Sequence, residues 1–370
     1  MRVGIDAHTL GSKSSGNESY YLELLQELAK AESNGNEYVV YYTLEKAVTK
    51  IPVATHLRPK RIWPPNPYIR IPISFPSEFR REKLDVFHGQ FIIPPFCNCR
   101  SVTTIPDILF ETYPQFFTPW ENFQFRTLIR WSAMRADHII TVSQASKTDI
   151  VSKYKIAPEK VSIIDEAPRD EFRVMDRGKC KEIIARKYGI AESFILYVGR
   201  INPRKNLLRL IEAFSILRRK GTEQKLVIVG KQDWQADKVL DRVKALALEA
   251  NVVCTGYVDG EDVPVFYNAA DVFVFPSICE GFGLPLVEAM ACGCPIVTSY
   301  GSSLEEVSGS AAILADPWSV ESLANAIGSV VGDTTLRQSL RAKGLKRVAE
   351  FNAARNAQNT VDIYTRLAGS

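Results

Sequence analysis

Short apolar runs alternate along the chain with stretches whose apolar residues recur every three or four positions. "RVGID" reads as a strand, and "ESYYLELLQELAKA" as a helix with its apolar face at Tyr21, Leu24, Leu25 and Leu28. "EYVVYYT", "DVFHG", "SVTTI" and "HIITVS" follow as short buried strands, and "QASKTDIVSKYKIAPEK" as a helix and turn before "VSII". A second series begins at "FILYVGR" and runs through the helix "NLLRLIEAFSILRRK" and the strand "KLVIVG". After these come a helix near 234–250, "VVCTGYV", a helix near 261–269 and "DVFVFPS". "PIVTS", "AAILAD" and C-terminal helices close the series. Strand and helix in alternation predict parallel sheets with helices on both faces.

The two series meet between "VSIIDEAP" and "FILYVGR", a polar, charged stretch suited to a hinge. The pattern therefore predicts two doubly wound, Rossmann-like α/β domains facing across a cleft, with boundaries at 1–170 and 171–350. Residues 51–76 break the pattern. They are rich in proline and interleaved with Arg, Lys and aromatics. Proline opposes regular pairing, so an extended surface loop is expected there. The sharper reading is contact with a membrane surface or a lipid-linked acceptor. "FTPWENFQFRTLIRWSAMRAD" opens a helix, with Thr118 as cap, Pro119 in the first turn and Glu121 completing a capping box. Its aromatics read as core or cleft wall.

Composition changes this picture little. The chain has 370 residues, 46% hydrophobic and 24% charged, as expected of a globular protein. Its net charge of +4, from 46 basic and 42 acidic residues, gives no argument for nucleic acid. No apolar run approaches the ~18 residues of a membrane span, and the first strand is expected without a signal-peptide core before it. Seven cysteines without framework spacing predict reduced thiols and a cytoplasmic setting. With two C-x-C pairs and four scattered histidines, no metal site is expected.

The chemistry concentrates in "CEGFGLPLVEAMACGCP", residues 279–295. A buried strand, a glycine loop and a helix follow one another, with Pro285 near the helix start and Gly293 past its end. The loop falls at the carboxyl edge of a parallel sheet, where open α/β folds bind ligands. A helix N-terminus there offers unpaired N–H groups to phosphate, and Gly281 and Gly283 allow close backbone approach. Glu280 precedes the helix and Glu288 lies a turn along it. A carboxylate accepts two hydrogen bonds, which suits adjacent hydroxyls of a sugar or ribose. The plainer reading has Glu280 capping the helix and Glu288 facing solvent. "YVGRINPRKNLLRLIEAF" adds Arg200 past a strand end and Lys205 before a helix, two cations able to neutralise a diphosphate where no D-x-D metal motif exists.

Together these residues resemble the retaining, family-four glycosyltransferases of the GT-B fold. The likeness is clearest in "YVGRINPRKNLLRLIEAF", "GYV", "YNAADVFVFPSICEGFGLPLVEAMACGCPIVTS" and "ILADP". It is looser in "GIDAHTL", "DVFHG" and "HIITVSQASKTDI". The resemblance implies an N-terminal acceptor-binding domain, a C-terminal nucleotide-sugar-binding domain and a final helix, 351–370, crossing back toward the first. It implies that Arg200 and Lys205 hold the donor diphosphate and that Glu280 binds donor-sugar hydroxyls. Backbone amides of Phe282, Gly283 and Leu284 would meet sugar and phosphate. Glu288 would hold the ribose, and Tyr257 and Val258 would meet the base. Gly199 and Gly16 would line the donor site. Transfer would be retaining, with neither metal nor cofactor. The partners implied are a nucleotide sugar, UDP- or GDP-linked before others, and a saccharide or lipid-linked acceptor of cell-surface polysaccharide or glycolipid synthesis. The enzyme would work in the cytoplasm or at the inner face of the membrane.

Three positions depart from the family pattern. Pro106 stands where a histidine is common, Glu18 where a second glycine is usual after Gly16, and Ala353 where a tryptophan is expected. Proline cannot shuttle a proton. A carboxylate beside a diphosphate repels it unless paired or turned away. His8 and His88 are read as structural. These departures keep open a second reading, a sugar-nucleotide-binding partner or scaffold that has lost transfer. A dinucleotide-dependent dehydrogenase is a poor third, since no G-x-G-x-x-G follows a strand.

Overall fold

The computed structural model describes residues 1–12, 15–231 and 236–369, which form two compact units. One is Met1–Ala167 with Asn352–Ser370, and the other is Pro168–Phe351. Among the described residues the first unit holds a seven-stranded parallel sheet. Its strands are β1 (Arg2–Asp6), β2 (Glu37–Tyr42), β3 (Leu57–Arg61), β4 (Val86–Gln90), β5 (Arg100–Thr104), β6 (His138–Thr141) and β7 (Val161–Ile163). They lie in the order β3-β2-β1-β4-β5-β6-β7. Alternation fails in these strands because both sheet faces are covered: Val3 and Ile5 of β1 and Val86 and Phe87 of β4 are all fully buried.

The Ser15–Lys30 helix buries Tyr21, Leu24, Leu25 and Leu28 in one cluster with Ile363 and Tyr364 of the Ala353–Ala368 helix. The last helix of the chain is thus part of the first unit's core. His88 on β4 is fully buried between the Tyr364 hydroxyl at 2.6 Å and the Thr104 hydroxyl at 2.7 Å. Burial pushes its pKa down to about 3, which keeps the ring neutral.

Residues 51–76 do not form the extended loop expected from their prolines. Leu57–Arg61 is a strand, paired in parallel with β2 from Tyr38↔Leu57 to Tyr42↔Arg61. Among the described residues β3 is the edge strand of the sheet, so the missing N–H of Pro59 is tolerated there. Past Trp63 the chain turns through Pro67–Ile69 into the Phe75–Glu82 helix. Arg70 is buried, with a guanidinium nitrogen 3.8 Å from Asp6.

The capping box of the Pro119–Arg135 helix forms as its sequence predicts: the Glu121 amide donates to the Thr118 hydroxyl and the Thr118 amide to the Glu121 carboxylate. Its aromatics, expected as core or wall, divide instead. Phe125 packs on Phe110 and Phe117, whereas Trp120 and Phe123 are exposed.

The second unit holds β8 (Phe194–Val198), β9 (Lys225–Val229), β10 (Val252–Gly256), β11 (Val272–Phe275), β12 (Ile296–Ser299) and β13 (Ala312–Ala315). Among the described residues they form a six-stranded parallel sheet in the order β10-β9-β8-β11-β12-β13. From β8 the chain winds outward through β9 and β10; from β11 it winds the other way. The strand order therefore reverses between β8 and β11, and the crevice at their carboxyl ends is where such sheets take ligands. Glycines at these ends let the backbones close up. The Gly199 amide donates to the Val229 carbonyl and the Gly230 amide to the Gly256 carbonyl, both at 2.9 Å. A Cβ on Gly230 would fall 1.9 Å from the Gly199 carbonyl oxygen.

Candidate active site

Three charged side chains meet at the reversal point. After β8 the chain makes a tight turn, Pro203–Lys205, with Asn202 as its cap. Asn206 follows at φ 63°. The buried Asn206 side chain donates to the Pro276 carbonyl at 3.1 Å and the Pro317 carbonyl at 2.7 Å, tying this turn to the β11 loop. The Ile278 amide adds a bond to the Arg204 carbonyl at 2.9 Å. So held, Lys205 Nζ lies 2.6 Å from Glu280 Oε1, and an Arg204 guanidinium N–H lies 2.5 Å from Oε2. Both cations converge on one carboxylate that is only 9% exposed.

Burial opposes the charge on Glu280, but Arg204 and Lys205 outweigh it and hold its pKa near 2. Glu280 is therefore a permanent acceptor. Burial lowers the pKa of Lys205, with Glu280 opposing the shift. The Lys205 ammonium also sits 4.6 Å from the centre of the Phe275 ring, a cation–π contact in a sheltered site.

The glycine loop is fixed from the other side. The Ser303 hydroxyl lies 2.8 Å from the Glu280 carbonyl and 3.0 Å from that of Phe282. Gly283 caps the Leu284–Ala291 helix at φ 109°, and a Cβ there would meet Leu304 Cδ2 at 2.7 Å. Glycine is thus required on two counts, and no side chain competes for the first N–H groups of the helix. Phe282 is buried with its ring edge-on to Phe351, so it offers a ligand only its main chain.

Glu288, half-buried, accepts the Tyr267 hydroxyl at 3.3 Å. Burial raises its pKa to about 7; Arg169 and the Tyr267 hydroxyl oppose this and Glu171 adds to it. Tyr267 packs edge-on to Phe172, and Arg169 lies over Phe172 at 5.4 Å. A Cβ added to Gly260 would come within 4.0 Å of the Arg169 guanidinium, which brings the loop after β10 to the Glu288 side. Among the described residues no three His, Cys, Asp or Glu side chains gather as metal ligands.

Of the residues singled out in the sequence, Lys205 and Glu280 are in contact, and Gly283 and Leu284 follow Glu280 at the helix start. Gly199 and Arg200 follow β8; Arg200 is exposed, and its carbonyl accepts the Tyr197 hydroxyl at 3.0 Å. Tyr257 is exposed while Val258 is buried. Gly16 lies in the other unit, in the Ser15–Lys30 helix, where an added Cβ meets nothing within 4 Å. Sequence reasoning missed Arg204, Arg169 and Tyr267. Arg204 adjoins Lys205, and only the tight turn aims both at one carboxylate. Tyr267 sits in a run that reads as core, and Arg169 in a linker without pattern.

Two parallel α/β sheets, one carrying a basic, carboxylate-lined loop cluster at its strand ends, define a GT-B glycosyltransferase. Residues 181–347 match the family of glycosyl transferases group 1, and residues 14–166 match glycosyltransferase family 4. O-antigen chain mannosyltransferase B of Escherichia coli is 31% identical over 284 residues, covering 76% of this chain and 74% of that protein. The fold is shared with sucrose-phosphate synthase of Thermosynechococcus elongatus, at a TM-score of 0.80 and 20% identity over the whole of both chains. It is shared also with Anabaena HepE in complex with UDP and glucose, at a TM-score of 0.77 and 18% identity, covering 99% of this chain and 100% of that one. The chain belongs to the family-four, group 1 glycosyltransferases.

Proposed function

We propose that the protein transfers a sugar, with retention of configuration, from a UDP- or GDP-sugar to a saccharide or lipid-linked acceptor in the assembly of a cell-surface polysaccharide. The observation that carries this reading is the clamp of Arg204 and Lys205 on buried Glu280, beside a glycine-capped helix start. Glu280, permanently ionised, accepts two donor-sugar hydroxyls. Glu288 accepts the ribose hydroxyls, and the loop carrying Tyr257 and Val258 meets the base. Arg200, Lys205 and the Gly283 and Leu284 amides meet the diphosphate. Its charge grows as the sugar leaves, so fixed cations there stabilise the transition state more than the ground state. The acceptor hydroxyl bonds to the anomeric carbon on the face from which phosphate departs, and its proton passes to the leaving phosphate oxygen.

The donor is assigned to the second unit and the acceptor to the first, with the protein working at the inner face of the membrane. The O-antigen mannosyltransferase relative supports a polysaccharide acceptor. Glu18 does not count against transfer. It is buried, accepts the Gly11 amide at 2.9 Å and pairs with Lys50 at 2.5 Å, so its charge is spent within the protein. The test is a panel of UDP- and GDP-sugars in the presence of EDTA, with product configuration read by NMR. Retained configuration with undiminished turnover is expected. Inverted product, or turnover restored only by a divalent ion, overturns the mechanism.

A further inference from the structure

The two C-x-C pairs of the sequence end in different surroundings. Cys292 and Cys294 lie at the end of the Leu284–Ala291 helix and are buried, and burial pushes both thiols up, Cys294 to about 12. Cys97 and Cys99 lie in the 91–99 segment, which carries the chain from the carboxyl end of β4 to the amino end of β5. In extended chain, residues two apart share one side. The two sulfurs are 3.3 Å apart, and the Cys97 thiol donates to the Cys99 carbonyl at 3.2 Å. A disulfide bond is about 2.0 Å long, so an approach of about 1.3 Å would close one here.

The segment is held from within and open from without. The Ile93 amide donates to the buried Ser132 hydroxyl at 2.9 Å, and both cysteines pack against the cluster of Tyr41, Phe75, Phe79 and Phe87. Both are half-buried and line a cleft of about 390 Å³ with exposed Arg80 and Arg135. Neither arginine has a carboxylate within 4.0 Å among the described residues. Asp137 also lines the cleft, but its carboxylate is taken by Arg100 at 3.1 Å and the Ser101 hydroxyl at 2.9 Å. Cations beside a sulfur favour thiolate over thiol. The hydrogen bond from Cys99 lowers the Cys97 pKa, with burial opposing it. The same hydrogen bond, with burial and the Cys97 charge, raises that of Cys99. The pair thus ionises at one sulfur, Cys97, and keeps the other as a thiol.

We propose that Cys97 and Cys99 form a dithiol–disulfide exchange site that is oxidised by small disulfides. The Cys97 thiolate attacks one sulfur of the small disulfide. A bond forms between these two sulfurs, the small molecule's own S–S bond breaks, and its other half leaves as a thiolate that takes up a proton. Cys97 is then uncharged, so the interactions that kept Cys99 protonated are gone. Cys99 gives its proton to solvent and attacks the Cys97 sulfur. The mixed disulfide breaks, and the second small thiolate leaves and is protonated. Two protein thiols have lost two electrons, and the small disulfide has become two thiols. Cys254, half-buried on β10, has only burial acting on it, which raises its pKa. The exchange requires neither sugar donor nor acceptor and does not rest on the transfer proposed above.

The test equilibrates the full chain in mixtures of reduced and oxidised glutathione, from reducing to oxidising. Free thiols are trapped with acid and N-ethylmaleimide, and labelled peptides are read by mass spectrometry. Cys97 and Cys99 should lose their label together in one two-electron step, while Cys254 keeps its own. Cys99→Ser should stop at the mixed disulfide, with glutathione on Cys97. It should reach that state at least about tenfold faster than Cys97→Ser does on Cys99. In the first variant the new hydroxyl still donates to Cys97, whereas in the second it is taken by the Cys99 carbonyl. Arg80→Gln/Arg135→Gln should slow the first step by about threefold or more, by removing cations that favour the thiolate. Both arginines are exposed, and an unchanged melting temperature would certify the fold. Full labelling of both sulfurs throughout, or oxidation of Cys254 in step with them, overturns the proposal. So do equal rates in the two single variants, or a disulfide-linked dimer in place of the internal bond.

Discussion

The two sheets each reverse their strand order, one between β1 and β4 and the other between β8 and β11, yet the charges at the two crevices are handled differently. Near the first, Asp6 is answered by Arg70 at 3.8 Å and Glu18 by Lys50 at 2.5 Å. At the second, Glu280 is answered twice, by Arg204 and Lys205. A ledger near balance leaves nothing for a phosphate, whereas a carboxylate with two cations leaves a surplus positive charge in a sheltered place. One topology thus supplies two crevices, and the side chains at the strand ends distinguish them.

The comparison is broken most directly at Lys205. Lys205→Ala should lower kcat by about 10²–10³, the effect of losing one preorganised charge stabiliser, while the donor Kd changes much less. Equal loss in kcat and Kd would make Lys205 a binding residue only. Glu288→Ala comes next. Losing hydrogen bonds from ribose to a charged acceptor should weaken donor binding by about 10–100-fold in titration calorimetry. An unchanged Kd would remove Glu288 from the site.

Gly16 and Gly283 sharpen the contrast. Gly16→Ala finds open space, so a loss of donor affinity at an unchanged melting temperature would place ligand beside Gly16. Gly283→Ala meets Leu304 and a left-handed backbone, and should lower stability by about 1–3 kcal/mol whether or not donor is present.

The smallest effect is in pH. Glu288 has a folded pKa raised from 4.5 to about 7, so the folded state binds the extra proton between those values. Its contribution to stability is present below about 4.5 and fades as pH rises through 7. Glu280, lowered from 4.5 to about 2, does the reverse: its contribution is present above 4.5 and is lost as pH falls toward 2. Glu288→Gln should therefore gain on wild type in melting temperature between pH 5 and pH 8, by about 2–4 °C for each kcal/mol of ionisation penalty removed. A constant gap across that range would show that Glu288 ionises normally. Donor affinity should rise through pH 7 in wild type and stay flat in Glu288→Gln.

Much of the fold was legible from periodicity. The runs from "RVGID" to "AAILAD" are strands because doubly covered parallel sheets demand short continuous apolar segments, and such segments need no partner to be recognised. Pro59 misled, because proline excludes a central strand and its effect at an edge depends on which neighbours exist. Trp120 and Phe123 misled for a related reason: an aromatic on a helix looks like core until the second face is known to be covered by nothing. In the site, Glu280, Glu288 and Lys205 were legible as residue types beside a glycine loop, while Arg204 was not.

By itself the sequence determined the alternation of strand and helix, the capping of the Pro119–Arg135 helix and the chemical kinds of the candidate ligand groups. Each of these is set by interactions within a few residues of chain. The tertiary structure decided that Arg204 and Lys205 share one carboxylate 76 and 75 residues away, and that burial raises the pKa of Glu288 to about 7. Burial, desolvation and charge pairing depend on groups distant in sequence, and only the packing of the sheets brings those groups together.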